Sequence, residues 1–378
     1  MTPTLFDGWY VALAAACVGI LMPVAIRARS LGYDEPGGVQ KLHHAATSRL
    51  GGVIVVIGSF VVLGAARSVG DADVGSAVPL ALAALPVVLA GLAEDLTGGV
   101  RPRYRMIAAV VSAAFASFYA GGVIPRLDIP PVDSLLTQPW IALPLTWFMV
   151  AGSCNAINLI DGAHGLASGT AMIMFGGIAL AAGWSGDAKT LAEAGTIMGL
   201  LAGFLAWNYP RGRVFLGDAG AYFVGFMYAQ LAIRLVARND AISAWYVIML
   251  AAYPICDTLF AMYRRGAVRR RPLMAPDRLH LHTLIFRRVA LPIARRTAHP
   301  DRVRANARVA PRLWLHGLLC LAVAIVLQKN TPALWLGIAG YVIFYLYRYR
   351  LLVRSRRQSE QLWAGIERRR SVDRSTAS

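Results

Sequence analysis

Charge is scarce in this chain. Only 15% of its 378 residues are Asp, Glu, Lys or Arg, against 57% hydrophobic, and its mean hydropathy is +0.53. A soluble protein carries about 25% charged residues, so a water-soluble globule is excluded and a membrane protein is indicated. Cysteine is scarce too. The four present, Cys17, Cys154, Cys256 and Cys320, lie in or beside apolar runs without a CxxC pair, so neither a disulfide framework nor a zinc site is indicated. No GxxxxGK[ST] phosphate loop occurs, which argues against an ATP-driven machine. The absence of an internal repeat weakens a transporter built from paired halves. The first apolar run, Trp9 to Ile26, lacks a basic leader and a small-residue cleavage site. It reads as a retained helix, not a signal peptide.

What is present is apolar length. Runs fall near residues 9–27, 51–68, 76–94, 106–124, 140–157, 165–184, 190–207, 219–236, 243–262, 313–328 and 333–347. Each approaches the roughly 20 residues that cross a bilayer. The expected fold is all-α, a polytopic membrane bundle of about 11 transmembrane helices. Residues 1–350 form one integral-membrane domain, and 351–378 a basic cytoplasmic tail, surface-bound or disordered. The formal net charge of +18 could suggest nucleic acid, but its distribution argues for topology. Most of the 38 Lys and Arg lie in alternate connections, above all 263–312, and in the tail. That bias places the N-terminus outside and the C-terminus in the cytoplasm. The basic partner surface is then a lipid bilayer with anionic headgroups rather than nucleic acid.

The cytoplasmic connections carry the polar chemistry. The segment Asp34 to Gly52 joins Lys41, His43 and Arg49 to a glycine pair, a combination suited to phosphate. Glu94 and Asp95 end the third run and suit a divalent cation or a general base. The string NAINLIDGAHG places Asn155, Asn158 and Asp161 at the mouth of an apolar segment, where unpaired polar groups are costly. Asp218 lies between Gly217 and Gly220 just before the eighth run, able to ligate Mg²⁺ while leaving room for a diphosphate. In the basic loop, His280 and His282 are two apart, a spacing for strand or loop, with too few nitrogen or sulfur ligands for zinc. Each group alone also reads as a capped or solvated helix end. Together they supply what transfer between two anionic phosphates needs: a divalent metal, electrostatic clamps and a base. Asp257 is the charge placed within a run, and Arg234 reads as snorkelling.

In this order, the strings NAINLIDGAHGLASG, FLGDAGAYFVG and PDRLHLH resemble the polyprenyl-phosphate N-acetylhexosamine-1-phosphate transferase family, from about Asp34 to Arg288. The resemblance implies transfer of a sugar 1-phosphate from a UDP-amino sugar to undecaprenyl phosphate, with Mg²⁺ or Mn²⁺, releasing UMP. It places catalytic roles on Glu94, Asp95 and Asp218, and metal ligation on Asp218 and Asp95. Substrate binding falls on Lys41, His43, Arg49, Asn155, Asn158, Asp161, His280 and His282. Three positions depart from the family pattern: Glu94 for the first paired Asp, Ser48 for a Pro, and Thr283 for a third His. The base is left open between Glu94 and Asp95, and Thr283 marks the loop expected to choose the sugar. The envelope-polysaccharide branch (O-antigen or capsule) at the bacterial cytoplasmic membrane is the expected setting. The alternatives are a phospho-MurNAc-pentapeptide transferase and a non-catalytic lipid-phosphate-binding protein or transporter. Association as a homodimer is left open.

Overall fold

A computed structural model describes residues 8–27, 33–34, 47–69, 74–270, 279–290 and 302–375. It is a helical bundle, because apolar segments this long must satisfy their backbone groups internally. In chain order the helices begin with α1 (Gly8–Arg27), α2 (Gly51–Ser68), α3 (Val74–Ala83), α4 (Leu85–Thr97) and α5 (Pro102–Tyr119). There follow a short α6 (Pro130–Leu136), α7 (Pro139–Ile160), α8 (Leu166–Ser185), α9 (Ala188–Asn208) and α10 (Gly217–Arg238). The last are α11 (Ala244–Leu250), α12 (Ala252–Tyr263), α13 (Leu281–Ile285), α14 (Arg302–Ala307), α15 (Val309–Leu327) and α16 (Thr331–Ser375). A two-residue antiparallel pair, β1 (Tyr33–Asp34) with β2 (Thr47–Ser48), precedes α2.

Among the described residues nine helices are long and apolar enough to cross a membrane, or ten if the bent pair α11–α12 counts as one. The expected run at 106–124 differs. It is α5, which carries Arg103 and Arg105 in its first turns, ends at Tyr119 and falls outside that set. The run at 76–94 is made of α3 and α4, which meet at Ala84 and together form one span, Ala77–Thr97. At the C-terminus, α16 runs on through the tail as one helix to Ser375. Large apolar side chains such as Ile20, Phe148, Val326 and Leu336 face outward, as a lipid-facing surface requires.

Helix α10 is the axis of the bundle, with 94% of its spanning window buried. Helices α2, α4, α7 and α8 pack around it. Of its buried polar residues, Arg234 is ion-paired, whereas the Gln230 side chain has no hydrogen-bond partner among the described residues. Arg234 does not snorkel: it is buried and meets the half-buried Glu193 of α9 at 2.7 Å. An ion pair inside a bundle is retained because breaking it would strand a charge.

At the end of the bundle where α10 finishes, Arg126 clasps the chain together. It donates to the carbonyls of Val236 (2.8 Å) and Ile242 (2.7 Å) and to Asp128 (2.8 Å). Asp128 in turn accepts from Ala244 N–H at 2.7 Å and from the Ser243 hydroxyl at 2.8 Å, which sets the start of α11. The opposite end gathers the polar strings.

Candidate active site

The site is organised by the first turn of α10. Gly217 has φ of +69°, and a Cβ there would strike the Arg49 carbonyl oxygen and the Asp95 carboxylate. Gly52 of α2 and Gly220 of α10 lie face to face with no room for a side chain on either. This contact lets Gly51 and Gly52 N–H donate to the Phe215 and Leu216 carbonyls at 3.1 and 2.9 Å. Gly91 brings α4 equally close to Ala219. The consequence is that Asp95 caps another helix: its two oxygens accept from the N–H groups of Asp218 (2.9 Å) and Ala219 (3.0 Å). These are donors that a helix start leaves unpaired. Asp95 is 4% exposed.

Held in this way, Asp218 presents its own carboxylate to the cavity. Asn158 donates to it at 3.1 Å, and Arg105 of α5 pairs with its other oxygen. Glu94 accepts from Val100 N–H at 2.7 Å, tying down the turn between α4 and α5.

Asn155 and Asn158 are three apart on the last turns of α7 and therefore share a face. The helix stops at Ile160, and Asp161 follows as its cap. Burial, and then the neighbouring Asp95 carboxyl, push the Asp161 pKa up to about 7, with Arg49 opposing them. A cation brought to this spot would relieve both. Gly162 has no side chain because the His282 ring lies where its Cβ would be. Two asparagines brace the turn: Asn306 accepts from His164 N–H at 2.8 Å, and Asn208 donates to the Val214 carbonyl at 2.6 Å.

His280 is the N-cap residue of α13, and His282 lies in its first turn. Their rings are stacked, 5.6 Å apart and 7° from parallel. Behind them, His280 Nδ1 donates to Asp257 at 2.8 Å. Burial, and then His280, lower the His282 pKa to about 4, with Asp257 opposing, so that ring is neutral near pH 7.

All these groups border one cavity of about 1060 Å³. Its polar head holds Arg49, Glu94, Asp95, Arg105, Asn155, Asn158, Asp161, Asp218, His280, His282 and Thr283. Its tail is mostly apolar, with Arg126 at its far end, and follows α10 from Tyr222 to Val236, roughly 21 Å at helical rise. One wall is the α11–α12 pair, bent by 74°. Pro254 has no N–H for the Leu250 carbonyl and its ring crowds that group, which accounts for the break. Ala244, Val247, Ile248, Ala251, Ile255, Thr258 and Met262 line the tail from that wall, at the three- and four-residue spacing of one helical face.

Nine sequence-selected residues therefore meet: Glu94, Asp95, Asp218, Arg49, Asn155, Asn158, Asp161, His280 and His282. Lys41 and His43 lie outside the described residues. Sequence reasoning assigned no site role to Arg105, His164, Asn306 or the apolar tail. Arg105 carried a signal, as the last of the three arginines in VRPRYR, residues 100–105. Asn306 carried none.

Comparison with known proteins agrees with this chemistry. Residues 77–236 match the family described as glycosyl transferase family 4. A probable undecaprenyl-phosphate N-acetylglucosaminyl 1-phosphate transferase of Bacillus subtilis (strain 168) is 27% identical over 334 residues, 86% of this chain and 85% of that protein. A phospho-N-acetylmuramoyl-pentapeptide-transferase of Shouchella clausii (strain KSM-K16) is 30% identical over 219 residues, 54% of this chain and 65% of that protein. Another, from Synechococcus sp. (strain JA-3-3Ab), is 27% identical over 284 residues, 71% of this chain and 81% of that protein.

Proposed function

We propose that this chain, a member of glycosyl transferase family 4 through residues 77–236, transfers a sugar 1-phosphate from a UDP-sugar to undecaprenyl phosphate. The sugar is GlcNAc or a related N-acetylated amino sugar, and the product starts a lipid-linked envelope polysaccharide. One observation carries the reading. A single cavity joins a head of carboxylates, arginines and imidazoles to a long, mostly apolar tail beside α10. A phosphate on a prenyl chain fits both parts at once.

In the reaction, an oxygen of the lipid phosphate attacks the phosphorus that bears the sugar. The bond from that phosphorus to the oxygen bridging to UMP breaks, and UMP leaves with the electron pair. The second pKa of a phosphate monoester is near 6, so the attacking group is largely dianionic at pH 7 and needs little help from a base. Arg49 and Arg105 neutralise phosphate charge as it builds. Asp95, with both oxygens on the start of α10, serves to position Asp218. Glu94 is then the carboxylate left to assist a proton, and Asn158 and Asp161 suit the hydroxyl and imide edges of the nucleotide sugar.

Mg²⁺, or Mn²⁺, fits this oxygen-rich set. Asp218, with Asp95 and Asp161 beside it, would hold the ion, and the raised Asp161 carboxyl is the group a cation would satisfy. Among the described residues no three His, Cys, Asp or Glu side chains form a ready cage. Mg²⁺ does not require one, since it shares one or two carboxylates with substrate phosphates and water. When bound it supplies charge neutralisation for the diphosphate.

UMP release from UDP-GlcNAc with undecaprenyl phosphate and Mg²⁺ tests the reading, with UDP-MurNAc-pentapeptide as the comparison donor. UMP from the first donor, dependent on the lipid, is the expected result. No UMP from any UDP-sugar would overturn it. The tail is tested separately by Ile248→Trp, which fills the apolar wall. The KM for undecaprenyl phosphate should rise about tenfold or more, as expected when roughly 1.4 kcal/mol of binding is lost, while that for the UDP-sugar stays within about twofold. A rise in both would place the nucleotide in the tail.

The site is assigned to the cytoplasmic face of the bacterial inner membrane, from the distribution of Arg. After the native cysteines are replaced, Val268→Cys should resist a membrane-impermeant thiol reagent in intact cells, and Ser134→Cys should react. The reverse pattern would contradict this orientation.

A further inference from the structure

Asp257 is a buried carboxylate, 1% exposed, that the transfer chemistry above does not use. Three donors converge on it. Leu281 N–H and the Tyr345 hydroxyl donate to Oδ1 at 3.1 and 2.7 Å, and His280 Nδ1 donates to Oδ2 at 2.8 Å. These contacts draw together α12, α13 and α16, three separate parts of the chain. An ionised carboxylate can only accept, so the His280 proton in this bond resides on Nδ1.

The far side of the ring is different. His280 Nε2 is buried with no hydrogen-bond partner among the described residues, yet His280 is 3% exposed and borders the cavity. A buried ring nitrogen left unpaired is costly unless an arriving group satisfies it. The stacked His282 ring, 7° from parallel, hinders the imidazole from turning. Only His280 of the two has a carboxylate behind it.

We propose that Asp257 is a positioning residue for the transfer reaction, holding His280 with Nε2 toward the substrate. The proposal rests on the transferase reading above. With Nδ1 committed to Asp257, Nε2 is the ring atom left to meet an arriving substrate group. The ionisable groups facing the ring are Asp257 from α12, His282 from α13 and Tyr345 from α16, and Arg265 at the end of α12 borders the same cavity. Tyr345 has the lesser part of orienting Asp257.

A double-mutant cycle tests this. Asp257→Asn keeps the shape and removes the charge. It should lower kcat/KM for the UDP-sugar by about 30-fold or more in the native background. In a His280→Ala background the same change should cost less than about threefold, because a residue acting through His280 has nothing left to act on. Tyr345→Phe should show the same pattern with a smaller loss and, with only a hydroxyl removed, covers the case in which Asp257→Asn does not fold. Equal losses in both backgrounds, or no loss in the native one, would overturn the proposal. Nitrogen-15 spectra of histidine-labelled protein, with His280 assigned by its absence in His280→Gln, give a readout without turnover. The His280 Nδ1 should carry a proton, and a bare Nδ1 contradicts the proposal even if no donor sugar reacts. Failure of wild-type transfer would overturn the transferase reading instead.

Discussion

Asp218→Asn should lower turnover by about a thousandfold, the equivalent of roughly 4 kcal/mol in the barrier, and leave the fold intact. The side chain faces the cavity, so no packing is lost when its charge is removed. What is lost is the carboxylate on which Asn158 and Arg105 converge, at a helix start that cannot be moved. Gly217 and Gly220 on either side are pinned by contacts too close for any side chain, so no neighbouring group can shift to replace it. Steady-state rates at saturating Mg²⁺ and both substrates, together with thermal unfolding in detergent, check the two halves of this expectation. Retention of more than about a tenth of the wild-type rate would contradict the role given to Asp218.

Asp95→Ala should damage rate and stability together. Two buried N–H groups, on Asp218 and Ala219, would lose their acceptor, and a buried unsatisfied donor costs about 1–3 kcal/mol. The first turn of α10 would loosen, and with it the aim of Asp218. The rate should fall about a hundredfold or more, which corresponds to roughly 3 kcal/mol, and the unfolding temperature should fall by several degrees. Asp95→Asn retains one acceptor oxygen and should lie between Ala and wild type in both measurements. The pairing of the two readouts is the discriminating feature. A base removed from an otherwise intact site would lower the rate and leave the unfolding temperature unchanged, and that result would return Asp95 to proton transfer.

The residues that converge on the cavity head were legible in sequence because they are dense polar strings interrupting apolar runs, and such interruptions are costly without a purpose. The partners they adopt were not. Asp95 caps a helix through N–H groups 123 and 124 residues later, and nothing in GLAED announces a receiving helix. Asp257 was visible as a charge within an apolar run, yet its meaning depends on His280 and on Tyr345, 88 positions away. The bend between α11 and α12 had a local cause in Pro254, but the length and overall hydrophobicity of 243 to 262 read as one straight span. The apolar tail of the cavity was hidden for a related reason. In a membrane bundle the faces that meet lipid, a neighbouring helix or a bound prenyl chain are all apolar, so periodicity alone does not separate them. Arg234 read as snorkelling because Glu193, its partner, lies on a helix whose register is fixed only by packing.

The most direct test of the account follows the phosphorus atom. UDP-GlcNAc labelled with phosphorus-32 at the β-phosphate is incubated with the purified protein, undecaprenyl phosphate and Mg²⁺, and the lipid and aqueous phases are then separated. Transfer of the sugar 1-phosphate predicts that the label moves into the lipid phase with release of unlabelled UMP. Release of labelled UDP, with sugar but no label in the lipid, would mean transfer of the sugar alone and would contradict the central claim.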